Sequence, residues 1–190
     1  MLRSRFIKCI IYSLVITFQL FSNVFADVQK IARGHKVFLQ DQQGKELLIG
    51  TLSLSEEGKV IHYKLVLDRE KFQDYFLSMK EMKCLEGPEL WCHLAYPYKH
   101  LSTIRRDDLR WLSHDLLFMY KKPNEFGANF WNGIYYDLRY EGGTIKGEAR
   151  AVDLNLLASP PDDFSTPPFT EGDMGDIDQD KRWLPSIEIR

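Results

Sequence analysis

From Lys36 onward, apolar and polar positions alternate in short runs separated by turn-forming residues. Residues 37–40 lead into Asp41-Gln42-Gln43-Gly44, and residues 47–54 lead into Glu56-Glu57-Gly58. Residues 60–67 then set Ile61, Tyr63, Leu65 and Leu67 against Val60, His62, Lys64 and Val66. A period of two broken by Gly-containing turns is the signature of antiparallel hairpins. These runs predict a three-stranded meander. Residues 75–85 and 90–96 extend it as a fourth and fifth strand until Pro97 removes a ladder donor. Phe72, Tyr75, Phe76 and Met79 also fit a helical stripe, with strand the preferred reading.

Helix is favoured only over residues 103–112, where Thr103 is a candidate N-cap and Asp107 and Asp108 lie near the positive end of the helix dipole. Residues 115–121 are apolar enough for a buried strand, and residues 123–129 form a loop. Ile134, Tyr136, Leu138 and Tyr140 then share one face, and Glu141-Gly142-Gly143 turns the chain into residues 144–157, the clearest hairpin signal in the chain. In the returning strand Ile145, Gly147, Ala149 and Ala151 present small side chains on one face, leaving room for the rings of Trp131, Tyr135 and Tyr136. Residues 159–182 form a strap rich in proline and acid. Pro160, Pro161, Pro167 and Pro168 forbid regular structure there, and Trp183, Leu184, Ile187 and Ile189 predict a last strand that docks back on the domain.

Eight or nine short strands with one short helix predict an all-β domain, either an antiparallel barrel or a two-sheet sandwich, because both dispose of exposed strand edges. The barrel is the preferred form.

The N-terminus has a different character. Arg3, Arg5 and Lys8 precede an apolar run over residues 9–21, and Val24-Phe25-Ala26 precedes the first acid, Asp27. This is the order of a secretory signal peptide, residues 1–26, cleaved after Ala26. The run is too short for a stable membrane span. Cleavage leaves residues 27–190, a single β domain of 164 residues in which 22 basic groups face 27 acidic ones. A mildly acidic surface lacks the basic stripe that binds nucleic acid. Periplasmic or secreted localisation follows, and the cysteines suit it: once Cys9 is lost with the leader, Cys84 and Cys92 remain as a pair. A turn centred on Pro88 sets them opposite one another, which predicts a disulfide worth roughly 2 to 3 kcal/mol for so short a loop.

The segment from Cys84 through Leu85-Glu86-Gly87-Pro88-Glu89-Leu90-Trp91-Cys92 to Tyr98, together with Trp131-Asn132-Gly133-Ile134-Tyr135-Tyr136, Val152-Asp153-Leu154-Asn155-Leu156 and Trp183-Leu184-Pro185, resembles a family of small uncharacterised exported bacterial proteins. The resemblance covers about residues 80–190 and carries no fold or activity with it.

Candidate chemistry is sparse. Ser113-His114-Asp115 holds the three side-chain types of a hydrolase triad, but neighbours in an extended segment point apart, whereas a working triad converges from distant positions. His35, His62, His93, His100 and His114 show no ligand spacing for zinc; His93, beside the disulfide and near Tyr96 and Tyr98, is the one to watch. Asp173, Asp176, Asp178 and Asp180 lie in the strap at spacings able to converge on calcium, yet an EF-hand register starting at Asp176 meets Lys181 where Gly is needed and Ile187 where Glu is needed. A solvated acidic loop is therefore the preferred reading, with no cofactor. Abundant aromatic residues suit either a packed core or an apolar cavity. The expectation is a non-enzymatic module binding a small apolar molecule or an envelope protein. The alternatives are a hydrolase of envelope polymers with a loop-assembled site and a calcium-stiffened adhesion module.

Overall fold

The computed structural model describes residues 34–78 and 80–190; the leader and its cleavage site lie outside them. The fold is all-β and antiparallel throughout. Among the described residues there are twelve strands and one short α-helix. The meander predicted first is present as β1 (His35–Gln40), β2 (Glu46–Glu57) and β3 (Val60–Leu67).

Beyond β3 the meander ends, contrary to expectation. Asp68 accepts the Glu70 N–H and starts a single helical turn, Arg69–Lys71. The chain is thereby diverted, so that β4 (Gln73–Leu77) pairs with β5 (Lys80–Glu86) rather than with β3. The single strand expected over residues 75–85 is thus a hairpin, broken at Ser78, whose φ of 48° is the left-handed conformation of a tight turn. β6 (Leu90–His93) follows, with Cys84 directly opposite Cys92 and the two bridged, as the Pro88 turn predicted.

Strand β7 (Thr103–Ile104) is only a short bridge to β3. The helix α1 is confined to Arg110–Asp115, so Thr103 caps nothing: Asp107 and Asp108 are taken up by Arg105 and Arg110 before the helix begins. β8 (Phe118–Lys121), β9 (Gly133–Glu141) and β10 (Thr144–Val152) follow, the last two forming the expected Gly142-Gly143 hairpin. β11 (Met174–Gly175) pairs with β10, and β12 (Ser186–Ile189) docks between β10 and β1.

These strands form one sheet in the order β4-β5-β6-β8-β9-β10-β12-β1-β2-β3-β7, with β11 beside β10. The sheet is open: β4 and β7 are its ends, and neither the closed barrel nor the two-sheet sandwich is formed. One face carries the main core, and the row Leu39, Ile187, Gly147, Leu138 crosses four neighbouring strands. Gly147 is needed there because a Cβ would lie 2.7 Å from Leu138 Cδ2 and 3.0 Å from Ile187 Cγ2. Tyr136 also faces this core, opposite Ala149, but Trp131 is 72% exposed and does not fill it, and Tyr135 lies on the other face. That second face is covered by α1 and the strap, whose buried Phe169 stacks on His114 at 5.0 Å and meets Tyr135 edge-on. No helix among the described residues is long and apolar enough to cross a membrane.

Candidate functional site

Where β3 lacks a partner strand, a cleft of about 680 Å³ opens between β3 and the β5–β6 hairpin. β7 pairs only with Ile61 and His62. Backbone groups alternate sides along an antiparallel strand. The Tyr63 N–H already points away from β2, to the carbonyl of Ser102, so those of Leu65 and Leu67 point the same way, to the side where β7 no longer pairs. The walls are apolar, formed by Leu65, Leu67, Phe72, Met82 and Leu94. Lys64, Arg69, Lys80 and Lys83 line its edge.

One end of the cleft is closed by a polar cluster around Asp115, the last residue of α1. Its Oδ2 accepts the Tyr63 phenol at 2.7 Å, and its Oδ1 accepts the His100 Nε2–H at 3.0 Å. The Asp115 backbone carbonyl accepts the His93 Nε2–H at 2.9 Å. The tautomer of His100 follows from its other nitrogen, because Nδ1 accepts the Ser102 N–H at 3.1 Å, a contact that Ser102 makes from a left-handed φ of 48°. Trp111 stacks on the His100 ring at 4.9 Å.

Burial and the nearby Asp115 carboxylate hold the Tyr63 phenol far above its ordinary range. Burial lowers the His93 pKa, leaving a neutral ring whose Nδ1 makes no hydrogen bond to the described residues. Both carboxylate oxygens of Asp115 and both ring nitrogens of His100 are already engaged. The cluster is therefore a brace that fixes the cleft wall, and His93 Nδ1 has no hydrogen-bond partner among the described residues.

The other sequence candidates fall elsewhere. Of Ser113, His114 and Asp115, only Asp115 reaches the cleft. Ser113 bonds back to Leu109 O, while His114 donates from Nδ1 to Arg110 O at 2.7 Å and accepts the Phe169 N–H at Nε2, pinning the strap to the helix. His62 lies by Glu57, outside the cleft. The four strap aspartates do not converge: Asp173 caps Thr170, Asp178 pairs with Lys181, Asp176 is fully exposed beside Arg150, and Asp180 holds none of them. Among the described residues no three His, Cys, Asp or Glu side chains are grouped to hold a metal ion.

Sequence reasoning singled out His93 but missed Tyr63, His100 and Asp115 as a group. The signal they left was faint, a polar atom on the inward face of β3 and an acid closing a short, largely buried helix. No protein-family model, curated protein or solved structure matches the chain.

Proposed function

We propose that the protein is an exported, non-enzymatic binding module whose cleft receives a small amphipathic molecule. The observation that carries this reading is the unfilled seam between β3 and the β5–β6 hairpin, apolar within and charged at its edge. A cleft of about 680 Å³ is of the size that encloses a small organic ligand. The brace around Asp115 supports the reading further, because a wall held before a ligand arrives loses little ordering entropy on binding. Export to the periplasm or beyond is supported by the charged and apolar order of residues 1–26 and by the bridged cysteine pair.

The test is titration with N-phenylnaphthylamine, a neutral apolar fluorophore. Saturable, one-to-one enhancement is expected, weakened by Leu65→Gln and unchanged by a substitution on the far side such as Lys146→Gln. Absence of saturable binding of this or any charged amphiphile overturns the proposal.

A further inference from the structure

Lys64, Arg69 and Lys80 line the cleft, and none of them forms a salt bridge among the described residues. Lys83 lines it too and is shared between Asp74 and Glu81. Against these four cations the cleft presents two acids, Glu81 and Asp115, and both oxygens of Asp115 are already taken by Tyr63 and His100. Such a local excess of unpaired positive charge stands out in a chain with more acidic than basic groups. The same edge carries the backbone N–H groups of Leu65 and Leu67, which point away from β2 and find no partner strand. Fixed amide donors next to unpaired cations form a receptor for negative charge. The same cleft is lined by Phe72, Met82 and Leu94, apolar side chains able to cover an apolar chain.

Resting on the reading of the cleft as a binding site, we infer that its ligand is an anionic single-chain amphiphile, with its carboxylate or phosphate head at Lys64, Arg69 and Lys80 and its tail along Phe72, Met82 and Leu94. Cation and amide donors together favour a charged head group, because their hydrogen bonds to an anion are much stronger than those to a neutral hydroxyl. The head is bound at the solvent edge, so ions screen it and added salt weakens binding.

The experiment is displacement of N-phenylnaphthylamine from the full mature chain by dodecanoate, dodecyl phosphate, dodecanol and dodecylamine. The two anions are expected to compete about tenfold more tightly than the alcohol, as suits charge-assisted hydrogen bonds, and the amine most weakly. The ratio of dodecanoate to dodecyl phosphate identifies which head group fits. In the Lys64→Gln/Arg69→Gln/Lys80→Gln triple variant the preference for anions falls to the small share that the backbone amides supply, while dodecanol binding stays the same. That retained dodecanol binding shows the variant is folded, and Lys45→Gln, away from the cleft, leaves all four affinities unchanged. Equal binding of alcohol and anions by the wild type overturns the inference and leaves the binding role standing. Failure of every amphiphile to displace or bind overturns both.

Discussion

The phenol of Tyr63 donates to Oδ2 of Asp115 across 2.7 Å, and this one bond ties the open edge of β3 to the end of the only α-helix among the described residues. His100 occupies the other oxygen and His93 the backbone carbonyl. Four chain segments therefore meet at one residue, two of them through its carboxylate. Asp115→Ala leaves a buried hydroxyl and a buried imidazole N–H unpaired, and is expected to lower stability by about 3 kcal/mol. Tyr63→Phe removes one donor and leaves Oδ2 of Asp115, which is partly exposed, to be met by water, and is expected to cost about 1 kcal/mol. Urea unfolding of the two variants measures both. A loss below about 0.5 kcal/mol for Asp115→Ala sinks the brace.

The pH dependence has a definite sign. Burial holds the His114 pKa down at about 4, against 6.5 for the free side chain. The unfolded chain therefore binds a proton in that interval which the fold excludes. Stability is complete above about pH 6.5 and falls as pH drops toward 4, by up to roughly 3 kcal/mol from this residue. His93 is shifted in the same direction by the same cause and steepens the loss. Denaturation midpoints at pH 7, 5.5 and 4.5 follow the trend. In His114→Asn, which has no charge to exclude, the slope is expected to flatten.

Reducing the Cys84–Cys92 bridge, or replacing both residues with Ala, is expected to lower stability by about 2 to 3 kcal/mol. The cost enters mainly through the freed unfolded chain. Thermal unfolding with and without a reductant measures it, and an unchanged transition contradicts the expectation. Ligand binding should survive, since neither cysteine lines the cleft.

Gly147→Ala places a methyl group against Leu138 and Ile187 in the row where four strands meet. Both neighbours belong to a close-packed core, so the expected cost is about 1 to 3 kcal/mol. Gly143→Ala is strained for a separate reason, a φ of 92°, although no atom lies within 4 Å of the added group. Comparing the two variants separates packing from backbone conformation.

Local patterns were legible and long-range ones were not. The β9–β10 hairpin, the facing cysteines and the docking of the last strand could all be read, because alternation, Gly-Gly and the Pro88 turn act over a few residues. The split at Ser78 left no trace, since no Gly or Pro marks it and alternation resumes beyond it. Strand order was hidden because β12 joins β10 to β1, and β6 joins β8, across connections whose composition names no partner. The cleft was hidden for the same reason. It arises where β3 fails to find a neighbour, and Tyr63 reaches Asp115 from 52 positions away.

β12 is hydrogen-bonded on both edges, to β10 through Ile145, Lys146, Gly147 and Glu148 and to β1 through Val37, Phe38, Leu39 and Gln40. It is the hinge pin of the sheet, because without it β1, β2, β3 and β7 have no strand pairing to the rest of the sheet. The ribosome makes this strand after every strand it joins, so the first hairpins must wait as an unmatched edge until Ile189 has been added.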